Sequence, residues 1–87
     1  MVTVRIPALM RDLTGGRNEV AVAGRTLRQV IAALEADYPG MGTRLLEDGS
    51  PRPELAFAVD GEVATLGLLQ PVGESSEVVI LPAISGG

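Results

Sequence analysis

The stretch Thr26-Leu27-Arg28-Gln29-Val30-Ile31-Ala32-Ala33-Leu34-Glu35-Ala36-Asp37-Tyr38 is the segment on which the fold depends. Its apolar residues recur at helical spacing, which predicts an amphipathic helix with one buried face: Leu27, Val30, Ile31 and Leu34. Thr26 and Gln29 fit a capping box at the helix start. Pro39-Gly40 ends the helix near Tyr38.

Outside the helix, short runs of alternating or branched apolar residues predict β-strands. They are Val2–Pro7, Glu19–Ala23, Leu55–Val59, Glu62–Ala64 and Glu77–Leu81. The first two form a hairpin with Val2, Val4, Ile6, Val20 and Val22 inward. We expect an irregular connection over residues 8–13, one short turn within 40–50, a spacer at 51–53 and a tight turn at Asp60-Gly61.

One helix cannot cover both faces of a sheet. The element order therefore predicts an α+β domain with the helix packed on one face and the other face free. The strand Val78-Val79-Ile80-Leu81 is apolar on both sides. If Val78 and Ile80 meet the helix, Val79 and Leu81 point away from it and form a docking surface, with Arg5 at its rim. The alternative is that loops cover this second side.

Composition excludes several functional classes. All seven basic residues are Arg, the formal net charge is −4, and the chain has neither Cys nor His. These facts argue against nucleic-acid or anionic-membrane partners, disulfides, a metal site and a conventional catalytic nucleophile or base. We therefore expect no enzyme acting alone. No signal peptide or long apolar run is present, so a soluble cytoplasmic protein is the default expectation.

The run Val78-Val79-Ile80-Leu81-Pro82-Ala83-Ile84-Ser85-Gly86-Gly87, with the strand order, resembles the bacterial ubiquitin-like sulfur carriers. That family includes the small subunit of molybdopterin synthase and the thiazole sulfur carrier. The resemblance implies a β-grasp fold, in which the first and last strands lie parallel at the centre of a mixed sheet. It implies a domain over residues 1–82 and a flexible tail over residues 83–87.

Within this family, the chain looks most like the sulfur carriers of thiocarboxylate-dependent cysteine biosynthesis. The similar segments are Ile6-Pro7, Thr14-Gly15-Gly16, Leu27–Tyr38, Arg44-Leu45 and Ile80–Ala83. The terminal Gly-Gly is common to all these groups and therefore does not distinguish them.

The resemblance also implies the chemistry of the tail. An E1-like adenylating enzyme would join the Gly87 carboxylate to AMP from ATP, and a sulfur donor would then leave a thiocarboxylate. The tail, with Ser85 and Gly86 before Gly87, would thread a narrow channel, and Gly86 and Gly87 suit such a channel because glycine has no side chain. The chain itself would bind no cofactor stably.

Several acceptors remain open at this point. The first is a pyridoxal-phosphate-dependent cysteine synthase, followed by a metallopeptidase that releases the product. The second is the large subunit of molybdopterin synthase. The chain could also be a ubiquitin-like protein modifier, or a subunit that activates a partner without carrying sulfur.

Overall fold

The computed structural model describes residues 1–82, so the predicted tail over residues 83–87 lies outside the described part. Helix α1 spans Leu27–Asp37, close to the predicted bounds. The Thr26 hydroxyl accepts a hydrogen bond from the Gln29 backbone N–H at 3.3 Å, as a capping residue should. Gln29 Oε1 accepts from the Arg25 N–H at 2.8 Å, one residue before the usual capping-box partner. The four residues predicted to face inward are all buried: Leu27, Val30, Ile31 and Leu34.

Residues 1–82 contain seven strands. In chain order they are β1 (Val2–Arg5), β2 (Glu19–Val22), β3 (Leu46–Glu47), β4 (Ser50–Pro51), β5 (Leu55–Val59), β6 (Glu62–Val63) and β7 (Glu77–Pro82). Five of them form one sheet in the order β2-β1-β7-β5-β6. β1 and β7 are parallel at its centre, and the other neighbours are antiparallel. The predicted mixed sheet, with its central parallel pair, is confirmed.

The core lies between this sheet and α1, and it is largely aliphatic as the composition requires. Val4, Val78 and Ile80 from the central strands are at most 2% exposed. Leu34 of α1 is 1% exposed, and Phe57 of β5 is the aromatic member of the cluster. Most of the apolar area that stabilises the fold is therefore buried on the side of the sheet that faces α1.

The connection between β1 and β2 is more regular than predicted. Residues Ala8–Thr14 form a 3-10 helix rather than an irregular stretch. Met10 turns into the core, and Gly15 ends the helix at φ 65°. The Thr14 hydroxyl donates to the Arg17 carbonyl at 2.8 Å and lies 3.2 Å from the Arg11 carbonyl. The sequence did not predict this helix, because a 3-10 helix is too short to show a repeating pattern of apolar residues.

The segment after α1 also departs from the prediction. It holds a short helix, α2 (Met41–Leu45), and then a hairpin in which β3 pairs with β4 across Asp48 and Gly49. Both turn residues have positive φ, 52° and 78°, as a two-residue hairpin turn requires. Pro51 pairs with Leu46 and is therefore part of a strand, not of a spacer.

A contact from α1 explains why α2 forms at this place. The Glu35 carboxylate accepts hydrogen bonds from the N–H groups of Gly40, at 3.1 and 3.2 Å, and of Gly42, at 2.8 Å. These are free donors at the start of α2. Met41 and Leu45 are then fully buried. Among residues 1–82, no helix is long and apolar enough to cross a membrane.

Candidate functional site

Strand β7 carries the chain toward its predicted reactive end, and its register decides which side chains accompany it. Val78 and Ile80 are 1% and 2% exposed and belong to the core. Val79 is partly buried, and Leu81 is 40% exposed. The predicted inward and outward positions are therefore right, as the alternation of a strand requires.

The sheet surface opposite α1, called the open face here, has an apolar half formed by β7, β5 and β6. Val79 pairs with Ala58, and Ala58 pairs with Val63, so these three lie in one row across the sheet. Leu81 pairs with Ala56 in the next row. Because the paired alanines are small, the larger side chains of Val79 and Leu81 protrude from this half of the sheet. Protruding apolar side chains are typical of a docking surface.

The other half of the open face is charged. Arg5 is the cross-strand neighbour of Val79. Its Nε donates to Glu77 Oε2 at 2.8 Å, and its Nη2 lies 3.7 Å from Glu19 Oε2. The hydrogen bond and charge of Glu77, and then the charge of Glu19, raise the pKa of Arg5 above its ordinary value. Since exposed ion pairs add little stability, their main effect here is to hold the guanidinium beside the apolar half.

A hydrogen-bonded cluster sets the start of β7. Asp60 Oδ1 accepts from the Glu77 N–H at 2.9 Å, and Oδ2 accepts from the Ser76 hydroxyl at 2.7 Å. Ser76 Oγ accepts in turn from the Gly73 N–H at 2.7 Å. The bonds from Glu77 and then Ser76 lower the pKa of Asp60 below its ordinary value. A slip of one residue in β7 would break this cluster and exchange the two faces.

Sequence reasoning missed this cluster, although Asp60 was noted as a turn residue. The turn is present, with φ values of 51° at Asp60 and 87° at Gly61. The signal for the side-chain contact was weak, because Ser76 lies sixteen residues away in a polar loop.

The structure brings three predicted site residues together on one surface: Arg5, Val79 and Leu81. Ser85, Gly86 and Gly87 lie outside the described residues, so their predicted role stays a prediction. Within residues 1–82, no three acidic side chains converge into a metal-ligand group.

Comparison with known proteins then decides the family. Residues 4–87 match the sequence profile of the ThiS family, which is nearly the whole chain. The chain belongs to the ThiS family. The sulfur carrier protein CysO of Mycobacterium tuberculosis is 40% identical over 91 residues, which cover 99% of this ThiS-family chain and 98% of that protein. The crystal structure of that CysO superposes with a TM-score of 0.91, over 97% of this chain and all of the other.

Two further relatives extend this picture. The crystal structure of the Amycolatopsis orientalis BexX/CysO complex contains a chain that is 31% identical, with a TM-score of 0.92 and full coverage of both chains. Small archaeal modifier protein 3 of Haloferax volcanii is 34% identical over 64 residues, covering 71% of this chain and 70% of that protein. The predicted family, the β-grasp fold and the resemblance to CysO-type sulfur carriers are confirmed.

Proposed function

We propose that this ThiS-family sulfur carrier works through the C-terminal carboxylate of Gly87, which partner enzymes activate and convert to a thiocarboxylate. The observation that carries the proposal is the full-length similarity to a sulfur carrier protein, in a chain that ends in Gly86-Gly87. The domain over residues 1–82 is then the part that partner enzymes bind when they react with Gly87.

The chemistry explains why a partner is needed. A carboxylate is a poor electrophile, because its charge repels nucleophiles and oxide is a poor leaving group. In the first step a carboxylate oxygen of Gly87 attacks the α-phosphorus of ATP, which the partner enzyme binds, and pyrophosphate leaves. A sulfide-equivalent sulfur donor then attacks the acyl carbon, AMP leaves, and a thiocarboxylate remains.

The composition fits a co-substrate rather than a catalyst. The chain has no Cys, His or Lys, so its side chains offer no conventional nucleophile or base near neutral pH. Catalysis is therefore assigned to the adenylating enzyme, and the chain supplies the reacting group. Because ATP is the co-reactant, we expect the reaction in the cytoplasm.

The open face supports a docking role. Its apolar half, around Val79 and Leu81, lies on β7, the last described strand before Gly87 in the chain, and Arg5 lies at the border of that half. A partner that covers this face would bury two branched side chains and meet one oriented guanidinium. The relative in the BexX/CysO complex is bound to another protein, which is a precedent for such contacts.

For the sulfur acceptor, we propose a pyridoxal-phosphate-dependent cysteine synthase, whose carrier–cysteine product a metallopeptidase then cleaves. Similarity to the CysO proteins favours this acceptor over the large subunit of molybdopterin synthase. Mixing the thiocarboxylate form with each enzyme in turn tests this choice. With an activated serine as the co-substrate, a chain one cysteine residue heavier than its carboxylate form, whose sulfur comes from the thiocarboxylate, supports the first acceptor. Transfer of that sulfur to a pterin precursor, which returns the chain to its carboxylate form, supports the second.

One observation favours a second candidate function. Similarity to small archaeal modifier protein 3 fits a chain whose Gly87 carboxylate forms an isopeptide bond with a lysine of another protein. The absence of Lys means that such a modifier could not form lysine-linked chains with itself.

Deleting Gly87 tests the proposed reaction, with the full chain as the matched control. Incubated with the adenylating enzyme, ATP and a sulfide source, the full chain should gain about 16 Da, since sulfur replaces oxygen. The shortened chain should gain nothing and keep its circular-dichroism spectrum, because the buried core is built from residues 2–80. A shortened chain that still gains sulfur contradicts the assignment. Conjugates of a whole target protein would favour the modifier instead.

A further inference from the structure

A second surface lies beside the point where β7 ends, on the side of the sheet that faces the core. It is a cleft of about 330 Å³, called the tail-base cleft here. Pro82, the last residue of β7, forms part of its wall, together with Leu9 and Leu55. Pro7 and Met10 add to the apolar wall, and the charged side chains of Arg44, Arg52 and Glu54 complete the lining. The cleft is thus an apolar hollow with two cations and one carboxylate at its edge.

Covalent geometry keeps this cleft near any enzyme that reacts with Gly87. Five residues follow Pro82, and five extended residues reach at most about 17 Å. An enzyme that reacts with Gly87 must therefore bring its catalytic centre within that distance of Pro82. Its surface therefore comes close to the end of β7, where Leu81 belongs to the open face and Pro82 lines the cleft.

Hydrogen bonds hold the two arginines in place but do not use all the N–H donors of either guanidinium. Arg44 donates to the Leu9 carbonyl at 3.0 Å and to Asp12 at 3.1 Å. Arg52 Nε donates to the Thr43 carbonyl at 3.0 Å. The Arg52 Nη1 lies 3.7 Å from Glu54 and 3.9 Å from Glu47, distances too long for hydrogen bonds. A fixed guanidinium is well suited to receive a carboxylate from another molecule.

From these observations we infer that the tail-base cleft is a second docking site, which receives a loop of the adenylating enzyme carrying an apolar side chain beside a carboxylate. The apolar side chain would enter between Leu9, Leu55 and Pro82, and the carboxylate would meet Arg52. This inference rests on the proposed function, because it takes Gly87 as the reacting group. Together with the open face, it lets the enzyme hold the end of β7 from both sides.

Two matched pairs of variants test the cleft. Leu9 is 77% exposed and Leu69, which does not line the cleft, is 74% exposed, so Leu9→Asp is compared with Leu69→Asp. Arg52→Gln is compared with Arg25→Gln, since Arg25 is exposed and lines a different hollow beside Met1. Thermal melts confirm folding first. If Arg52→Gln does not fold, the exposed pair Leu9 and Leu69 still decides the question.

The measurement is ATP–pyrophosphate exchange by the adenylating enzyme at increasing carrier concentration. Leu9→Asp and Arg52→Gln should each raise KM at least about tenfold with kcat nearly unchanged, and the two controls should stay within about twofold. Arg52→Gln should also flatten the dependence of KM on salt, because a charged contact is lost. Cleft variants that behave like their controls would overturn the inference.

Other outcomes separate the two proposals. If the unaltered chain supports no exchange and gains no sulfur, the proposed function itself fails, and the cleft partner fails with it. If the unaltered chain reacts normally and the cleft variants match their controls, the inference about the cleft fails alone. A dimer of this chain that Leu9→Asp abolishes, with KM unchanged, would assign the cleft to self-association instead.

Discussion

The two faces of the five-stranded sheet differ in almost every respect, although the same strands build them. On the face toward α1, Val78 and Ile80 are nearly inaccessible and join one continuous aliphatic core. On the open face, Val79 and Leu81 remain accessible beside two alanines and the ion pairs of Arg5. Adjacent residues of β7 therefore have different roles: one side packs in the core, and the other remains accessible to a partner.

This difference separates stability from recognition within a single strand. The folding free energy of a domain this size comes mainly from apolar area removed from water, and most of that area lies under α1. Side chains on the open face contribute less to folding, so they are free to suit a partner. Substitutions on the two faces of the sheet, and at the start of β7, can test how complete the separation is.

Charge substitutions along β7 should give the largest contrast. Val78→Asp or Ile80→Asp places a carboxylate in the core without a partner, which costs several kcal/mol and should unfold the domain. Val79→Asp or Leu81→Asp should leave the domain folded and weaken binding to the adenylating enzyme, because the new carboxylate loses its water on docking. Thermal melts of all four variants, then a binding titration of the folded ones, make the comparison.

Two results would break the comparison between the faces. If Val79→Asp and Leu81→Asp unfold the protein, the open face is part of the folding core. If they fold and bind the enzyme at the affinity of the unaltered chain, the open face is not the docking surface.

Truncation of leucines should give a smaller contrast of the same kind. Leu34 is 1% exposed and Leu81 is 40% exposed. Leu34→Ala should cost about 2–5 kcal/mol, since it removes buried methyl groups and leaves a cavity. Leu81→Ala should cost less than about 1 kcal/mol, as expected for a surface position. Urea denaturation measures both, and equal losses would contradict the assigned buried face of α1.

The smallest effect concerns the cluster that starts β7. The pKa of Asp60 is lowered in the folded chain by the bonds from Glu77 and Ser76. Its contribution to stability is therefore present above the ordinary pKa of 3.8 and is lost as the pH falls through the lower folded value. Asp60→Asn should make the urea midpoint less dependent on pH below about 4.

The control for this pH dependence is Asp37→Asn, a carboxylate-to-amide change at an exposed position at the end of α1. If the pH profile of Asp60→Asn matches that of the unaltered chain, the cluster does not anchor β7 through its charge.

Much of the site's framework could be predicted from local patterns. The helical period from Leu27 to Leu34 and the alternation from Val78 to Leu81 assigned the buried faces correctly, because side-chain direction follows directly from backbone geometry. The family resemblance then supplied the parallel pairing of β1 and β7. Strand ends were less predictable: β1 ends at Arg5 and β7 continues to Pro82.

By itself, the sequence determined the class of the fold, the two sides of β7, and the lack of Cys, His and Lys side chains. Tertiary structure alone decided the contacts between distant segments. Glu35 organises α2, Asp60 anchors the start of β7, and the tail-base cleft joins residues from elements that are far apart in the chain. The physical reason is that periodicity reports which way a side chain points, whereas a hydrogen bond between remote residues depends on where the whole chain has already packed.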